Sequence, residues 1–211
     1  MEKEELIEKL IKQGYLKSKE VIQAMRDVPR ELFIPESQKK YAYYDTPLEI
    51  GYSQTISAPH MVAIMLEALK PEQDSKVLEI GTGTGYHAAV TAKIVKNGKI
   101  YSIERIPELA EKARENFKKL GIKNIEVIVG DGSLGLPEHA PYSHIYATCS
   151  APSLNPRLIE PLDENGKLLL PVGRIYGELW LIEKKKGKIR KKNLGGCAFV
   201  PMIGKGGYNE D

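Results

Sequence analysis

The sequence predicts an α/β fold, in which N-terminal helices precede a doubly wound, mostly parallel sheet with helices on both faces. Two observations support this. After Pro71, short apolar runs alternate with segments of helical periodicity, the pattern of strands joined by crossover helices. Over the first 45 residues, apolar residues recur at helical spacing instead. We therefore expect one domain over residues 1–211, with a helical segment and loop at 1–70 and an α/β core at 71–211.

The N-terminal segment is predicted to hold three helices and one loop. Four apolar residues at helical spacing predict a first helix, which Gly14 can end: Leu6, Ile7, Leu10 and Ile11. Ser18 suits the N-cap of a second helix, and Pro29 stops that helix. Residues 46–59 are rich in Pro, Gly and Ser and predict a loop. A third helix is expected from His60.

Strands and helices are predicted to alternate through the core. The predicted strands are 77–80, 100–103, 125–129, 145–147 and 167–170. Between them, one helix follows a glycine cluster, a second runs from Pro107 to Gly121, and a third covers 153–162. From Leu179 the tail predicts antiparallel strands around a basic turn near Gly187.

Composition excludes several classes of protein. The chain has 211 residues, 42% hydrophobic content and a formal net charge of +3, which argues against disorder. Apolar stretches such as 168–170 are too short to span a membrane, and the charged N-terminus is unlike a secretory signal. Cys149 and Cys197 form neither a disulfide framework nor a metal-ligand pattern. We expect a reduced, cytoplasmic, monomeric protein that binds no metal.

Charged residues bear on environment and partners. The chain has 24 Lys and 22 Glu against 5 Gln and 6 Asp, an enrichment typical of heat-adapted proteins. The net charge is low for a dedicated nucleic-acid binder, so no nucleic-acid partner is expected. We interpret the basic run at 184–192 as a solvated hairpin tip that protects a sheet edge, with an RNA-binding patch as the alternative.

A glycine-rich loop follows the first predicted strand of the core. Its glycines alternate with threonines: Gly81, Thr82, Gly83, Thr84 and Gly85. Glycines permit a tight turn and let a ligand approach the backbone closely. The carboxylate of Glu104, at the end of the next strand, can accept both ribose hydroxyls of a nucleoside. These positions predict a nucleoside-cofactor site, the alternative being a turn that serves packing alone.

The spacing of the glycines distinguishes between cofactors. A dinucleotide fingerprint requires Gly-x-Gly-x-x-Gly or Ala, and Tyr86 breaks that pattern, which argues against a nicotinamide dehydrogenase. Gly-x-Gly-x-Gly after the acidic strand residue Glu79 resembles motif I of the S-adenosylmethionine (AdoMet) methyltransferases. Gly130, Asp131 and Gly132, after the third strand, resemble their adenine-contacting loop. The resemblance implies a Rossmann-like fold with seven strands, with AdoMet as cofactor and S-adenosyl-L-homocysteine as product.

A loop rich in hydroxyl groups precedes the core. Thr55 and Ser57 alternate in an extended stretch, and Pro59 then opens a helix. The stretch 51–63 resembles the Gly-x-Gln-Thr-x-Ser-x-Pro-His loop of the protein-L-isoaspartate O-methyltransferase family. Other segments resemble landmarks of that family in the same order, so the resemblance covers nearly the whole chain: 33–35, 41–43, 103–105, 148–152, 170–173 and 199–204.

This family resemblance implies a reaction and a set of site residues. The implied reaction moves a methyl group from AdoMet to the free carboxylate of an L-isoaspartyl residue in a damaged protein, and the ester then cyclises to a succinimide. By resemblance, Ser57 is the catalytic-loop residue and Thr55 helps to hold the substrate. Arg105 and Thr148 join the cofactor residues. His60 either contacts the cofactor or merely lies on its helix.

Two positions depart from the family pattern. Ser53 stands where glycine is common, and residues 142–144 read Tyr-Ser-His where the fourth strand usually begins with Asp. We expect these changes to affect substrate preference or rate and to leave cofactor binding unchanged.

The implied chemistry agrees with the residue types. A carboxylate with a solution pKa of about 4 is already ionised at neutral pH, so it needs no general base. Hydroxyl donors can orient it without the tight ion pair of an arginine clamp.

Two alternative functions stay open: another AdoMet-dependent methyltransferase, acting on RNA or a small molecule, and a non-catalytic nucleotide-binding module. Residues 148–152 lack the Asp/Asn-Pro-Pro-aromatic motif of amino-methylating nucleic-acid enzymes.

Overall fold

A computed structural model describes residues 1–174 and 176–210 of the chain. Its N-terminal part contains α1 (Lys3–Lys12), α2 (Lys19–Asp27), 3-10 turns at Arg30–Phe33 and Glu36–Tyr41, β1 (Leu48–Gly51), β2 (Gln54–Ile56) and α3 (Pro59–Leu69). The core continues with β3 (Lys76–Ile80), α4 (Tyr86–Ile94), β4 (Lys99–Glu104), α5 (Pro107–Lys119), β5 (Ile125–Val129), β6 (Tyr142–Ala147), α6 (Pro156–Ile159), β7 (Leu162–Val172), β8 (Gly177–Lys185) and β9 (Lys188–Cys197). Within the described residues, no helix is long and apolar enough to cross a membrane.

The core strands form one seven-stranded sheet in the order β5-β4-β3-β6-β7-β8-β9. The first five of these strands are parallel, and β8 and β9 add to the sheet as antiparallel strands. The chain leaves β3 towards β4 and β5 on one side, then crosses back to β6 on the other. This confirms the predicted doubly wound, mostly parallel sheet and its antiparallel tail.

Alternation along the strands sends neighbouring side chains into different parts of the core. On β3, Val77 joins an apolar cluster that includes Met65 and Leu69 of α3. The next residue, Leu78, joins a separate cluster that includes Leu158 of α6. Burial of both faces explains why the parallel strands appear in the sequence as short, continuous apolar runs.

The N-terminal helices share their apolar faces with the core helices. Leu6 and Leu10 of α1 and Met25 of α2 belong to the same buried cluster as Ala88 of α4 and Phe117 of α5. Helices α1 and α2 would expose these apolar stripes if they did not pack on the core. This packing anchors the segment that leads into the stretch 51–63, called the hydroxyl loop below.

The prediction of a loop at 46–59 is wrong in part, because β1 and β2 form a short antiparallel hairpin there. Leu48 pairs with Ile56, and both side chains are buried. The chain reverses through Tyr52 and Ser53, which both have φ of 55°. Strands of three and four residues are too short for an alternating pattern to be visible in sequence. The left-handed φ at Ser53 gives a reason for the glycine of the family pattern.

Two further details differ from the sequence prediction. Helix α6 covers Pro156–Ile159 rather than 153–162, because Leu162 already pairs with Tyr142 in the sheet. Ser18 stands at the N-cap of α2, but its hydroxyl donates to Glu67 of α3 at 3.0 Å instead of capping the helix. Tertiary contacts outweigh local preference at these sites.

Candidate active site

A cleft opens at the carboxyl ends of the parallel strands, where β4 and β6 lie on opposite sides of β3. The loops that follow these strands diverge there, which is the usual ligand position in open α/β sheets. The cleft holds about 780 Å³ of space, including a part open to solvent. Most predicted site residues line it: Thr55, Ser57, Gly81, Thr82, Gly83, Thr84, Glu104, Arg105, Gly130, Gly132 and Thr148.

The glycine loop, residues 81–85, is fixed by packing against its neighbours and also borders the cleft. A Cβ on Gly81 would lie 2.5 Å from Thr148 Oγ1, and one on Gly85 would lie 2.6 Å from Phe117 Cζ. Both glycines also have φ above 90°. Packing therefore requires the outer two glycines, and Gly85 does not line the cleft. A Cβ on Gly83 would meet only Ile50 Cδ1, at 3.3 Å.

Threonine hydroxyls fix the loop to its surroundings. Thr84 Oγ1 donates to the Phe33 carbonyl at 2.6 Å, and Thr82 Oγ1 hydrogen-bonds Ser102 Oγ at 2.6 Å. Thr148 Oγ1 donates to the Gly81 carbonyl from the end of β6. The loop is thus pre-organised before any ligand binds.

Glu104 is fixed at the end of β4. One carboxylate oxygen accepts the Gly83 N–H at 2.8 Å and the other accepts the Ile106 N–H at 3.0 Å. The residue is 6% exposed and lines the cleft. Each oxygen keeps a further lone pair, so the carboxylate can accept hydrogen bonds from two neighbouring hydroxyls. Arg105, beside it, pairs with Glu210 at 2.6 Å.

A second, mostly apolar groove adjoins the cleft. It is lined by residues of the stretch 55–61, from the end of β2 to the first turn of α3, and of the stretch 196–201, from the end of β9 onwards. Thr55, Ser57 and Thr148 line both the cleft and the groove. A ligand in the cleft and another in the groove would meet at these hydroxyl-bearing residues, an arrangement that suits transfer of a group between two ligands.

The comparison with known proteins identifies the family. The model of the protein-L-isoaspartate(D-aspartate) O-methyltransferase (PCMT) family matches residues 1–207. The chain belongs to this family. A protein-L-isoaspartate O-methyltransferase of Methanococcus aeolicus is 56% identical over 209 residues, covering 99% of this chain and 97% of the relative. One from Methanopyrus kandleri is 52% identical over 212 residues, covering 99% and 94%.

A solved structure agrees with this assignment to the PCMT family. The crystal structure of a Plasmodium falciparum PCMT in complex with S-adenosyl-L-homocysteine has a TM-score of 0.86 and 30% identity to this chain. The match covers 96% of this chain and 99% of the other. The predicted family and its Rossmann-like methyltransferase fold are confirmed.

Glu79, a predicted cofactor residue, lies beneath the glycine loop of this PCMT and not in the cleft wall. It is 0% exposed, because strand alternation places its side chain on the same face of the sheet as Val77, a face that α3 covers. Its carboxyl group accepts hydrogen bonds from the hydroxyls of Ser102 and Tyr146. Burial raises the pKa of Glu79 to about 8, although these hydrogen bonds act to lower it. A direct contact with the cofactor stays a prediction.

Asp131 also lies outside the cleft wall, although Gly130 and Gly132 line it. Its carboxylate accepts the Ser133 N–H at 2.9 Å, the Ser133 hydroxyl at 2.6 Å and the Lys205 N–H at 2.8 Å. Partial burial acts to raise the pKa of Asp131, but these hydrogen bonds prevail and lower it. Asp131 therefore ties the end of β5 to the C-terminal tail, and its adenine contact stays a prediction.

His60 lines the groove rather than the cleft. Its Nδ1 lies 2.9 Å from Asp45 Oδ1, and its backbone N–H donates to the same oxygen at 2.9 Å. The ring also contacts Tyr15, with centroids 5.6 Å apart. The structure therefore places His60 in the groove wall and outside the cleft wall.

Two residues at the site carry no signal in the sequence. Arg30 is 0% exposed, and its guanidinium donates to the carbonyls of Ala42, Thr46 and Ser57. His87, in the first turn of α4, lines the cleft. Neither stands in a recognisable motif position, so only the tertiary structure reveals them.

Cys149 also lines the cleft, and burial raises the pKa of its thiol, which makes it a poor nucleophile.

Proposed function

We propose that this PCMT moves a methyl group from AdoMet to the free carboxylate of L-isoaspartyl residues in damaged proteins. Family membership and the S-adenosyl-L-homocysteine bound to the Plasmodium falciparum relative support the reaction class. The observation that carries the proposal is the position of Thr55 and Ser57, which line both the cleft and the groove.

The cleft fits AdoMet by the chemistry of its donors and acceptors. Glu104 offers a fixed carboxylate for the ribose hydroxyls, and the backbone at Gly130 and Gly132 borders the neighbouring space. Residues 81–84 and His87 border the remaining part of the cleft. When bound, AdoMet supplies an electrophilic methyl group on a sulfonium.

The hydroxyl loop positions the substrate. Ser57 and Thr55 donate hydrogen bonds to the isoaspartyl carboxylate, which is ionised at neutral pH and attacks without a general base. Neutral donors hold the carboxylate without stabilising its ground state as strongly as a salt bridge would. Val200 and Pro201 line both the cleft and the groove and exclude water from the reacting atoms. Such positioning contributes about 7–11 kcal/mol to lowering a barrier.

A paired-peptide assay tests the reaction. Methyl incorporation from labelled AdoMet is measured on two peptides that differ only in an isoaspartyl or an aspartyl linkage. We expect labelling of the isoaspartyl peptide and a base-labile ester that gives succinimide. Equal labelling of both peptides, or of neither, would contradict the repair function.

Two alternatives are separated by the same assay. A methyltransferase for RNA or a small molecule would label those substrates and neither peptide. A non-catalytic module would bind AdoMet and label nothing. The intact pair of Thr55 and Ser57 at the junction of cleft and groove favours catalysis on a carboxylate.

We also infer that the enzyme is a cytoplasmic, heat-adapted monomer that binds no nucleic acid, and that residues 1–70 and 71–211 fold as one domain. The excess of Lys and Glu supports heat adaptation, and the shared cluster of Leu10, Met25 and Phe117 supports joint folding. We expect analytical ultracentrifugation to give the mass of a monomer. We expect calorimetry to show a single unfolding transition, with a Tm well above the range usual for mesophile proteins.

A further inference from the structure

His87 is a buried imidazole with no hydrogen-bond partner among the described residues. It is 5% exposed and lines the cleft, and neither Nδ1 nor Nε2 is paired. Buried polar atoms are nearly always paired in folded proteins, and an orphan therefore requires an explanation. A ligand in the cleft would supply the missing partner.

The ring of His87 is held in place by its neighbours. It packs on the ring of Tyr146, with centroids 4.5 Å apart and an interplanar angle of 31°. The Tyr146 hydroxyl is fixed in turn by Glu79 at 2.9 Å and Thr91 at 3.1 Å. Burial lowers the pKa of His87 to about 3, so the imidazole is neutral and keeps one N–H donor and one acceptor. The chain thus holds a rigid, neutral imidazole at the wall of the cleft.

The sheet order indicates which part of the cofactor reaches His87. Glu104, at the end of β4, marks the ribose, and Gly130 and Gly132, after β5, border the space beyond it. The opposite end of the cofactor must run past the loop after β3 towards β6 and Ser57. His87 follows that loop, in the first turn of α4. The amino end of a helix favours an anionic group.

We propose that His87 binds the amino-acid end of AdoMet by donating its imidazole N–H to the α-carboxylate. This inference rests on AdoMet being the ligand of the proposed function. It assigns to His87 the recognition of the part of the cofactor that lies beyond the sulfur. A nucleoside that lacks the amino acid would leave His87 unpaired.

A pair of ligands tests this assignment without any substrate. Binding of S-adenosyl-L-homocysteine and of 5′-methylthioadenosine, which lacks the amino acid, is measured by calorimetry on the unmodified protein and on His87→Leu. We expect His87→Leu to weaken S-adenosyl-L-homocysteine binding by about tenfold or more and to change methylthioadenosine binding by less than about twofold. Equal losses for both ligands, or no loss for either, would overturn the proposal.

Two further variants separate binding from folding. His87→Gln keeps a neutral donor and acceptor, and we expect it to retain S-adenosyl-L-homocysteine affinity within a few fold. His144→Leu removes a similarly buried histidine, 8% exposed, which lies on β6 and does not line the cleft. It is expected to leave both affinities unchanged, whatever it does to Tm. A loss of S-adenosyl-L-homocysteine affinity in His144→Leu as large as in His87→Leu would contradict a specific role for His87.

The outcome is independent of the methyl acceptor. If the isoaspartyl assay failed but His87→Leu still distinguished the two ligands, the repair function alone would be wrong. If the isoaspartyl assay succeeded and His87→Leu bound both ligands normally, the assignment of His87 alone would be wrong.

Discussion

The hydroxyl of Ser57 illustrates how much one residue can contribute when its position is fixed. Its backbone carbonyl is held by Arg30 at 3.0 Å, and its side chain borders both the cleft and the groove. A single pre-organised hydrogen-bond donor in an active site is worth roughly 10²–10³-fold in rate.

We predict that Ser57→Ala lowers kcat for an isoaspartyl peptide by at least about tenfold. The affinity for S-adenosyl-L-homocysteine should change by less than about twofold, because the residues proposed to hold the cofactor lie elsewhere in the cleft. Steady-state kinetics and calorimetry check the two values. Ser37→Ala, at an exposed serine of the 3-10 turn Glu36–Tyr41 that lines neither the cleft nor the groove, is the matched control. An unchanged kcat in Ser57→Ala would remove Ser57 from the mechanism.

Glu79 links stability to pH. Burial raises its pKa to about 8 from a usual value of 4.5, so the folded protein keeps a proton that the unfolded chain releases over this range. The contribution of Glu79 to stability is therefore complete below about pH 4.5 and is lost as the pH rises through about 8.

We predict that Glu79→Gln, which cannot ionise, gains Tm relative to the unmodified protein as the pH rises from 5 to 8. Other titrating groups, such as His87 and His144, are present in both proteins and cancel in this difference. Thermal unfolding at several pH values measures it. A difference in Tm that does not vary with pH would mean that Glu79 titrates alike in the folded and unfolded chains.

At the scale of elements, Arg30 joins the first 3-10 turn to the hydroxyl loop. Its guanidinium donates to Ala42 at 2.6 Å, to Thr46 at 3.1 Å and to Ser57 at 3.0 Å. It also lies 5.8 Å from the ring centre of Tyr86, at the start of α4. One side chain therefore orders the segment between the N-terminal helices and the site.

We predict that Arg30→Met lowers both Tm and the kcat for isoaspartyl peptides. Each buried carbonyl left without a donor costs roughly 1–3 kcal/mol. Arg30→Lys should recover only part of the loss, because a lysine ammonium group cannot reproduce the planar arrangement of N–H donors of the guanidinium. Arg26→Met, at a surface arginine that pairs with Glu4, is the control and should have little effect. Equal effects of Arg26→Met and Arg30→Met would contradict the proposed role.

The basic run at 184–192 lies in the β8–β9 hairpin, at the edge of the sheet. Strand β9 is the last strand in the sheet order, and its residues 188–193 are exposed. Lys186 and Gly187 form the turn with positive φ, and Glu164 accepts both of their N–H groups. Lysines along an edge strand discourage pairing with other chains. This position favours the solvated-tip interpretation of the run at 184–192.

At the scale of the whole molecule, the fold restrains a site that is prone to deamidation in a flexible chain. Asn97 precedes Gly98, a pair that deamidates readily when the glycine nitrogen can attack the asparagine side chain. In the structure the Gly98 N–H donates to the Gln73 carbonyl at 2.9 Å, and a Cβ on Gly98 would lie 2.1 Å from the Ser75 carbonyl oxygen. The backbone is therefore held in one conformation.

We predict that Asn97 stays largely intact during prolonged heating below Tm, because deamidation there requires local opening of the turn. Mass spectrometry of proteolytic peptides measures the modified fraction over time. A synthetic peptide with the same residues is the unfolded reference. Equal rates in the folded protein and the peptide would show that the fold gives no protection.

Much of the fold could be predicted because its signals are local. Alternating apolar runs and helical stripes reveal β3 to β7 and their helices, and the glycine and hydroxyl loops carry distinctive residue types. The β1–β2 hairpin and the ends of α6 could not be predicted, because strand pairing decides them. The prediction also grouped Glu79, Asp131 and His60 with the cofactor, although the structure places all three outside the cleft wall.

The sequence by itself determined the fold class, the family and the loops that form the site, because spacing and residue type are properties of neighbouring positions. Only the tertiary structure decided which side chains reach the cleft. Strand alternation places Glu79 on a covered face of the sheet, and the divergence of the loops that follow β3, β4 and β6 creates the cleft itself. Packing then buries Arg30 and His87, which no motif marks. Such placements depend on contacts between residues far apart in the chain, which local patterns do not encode.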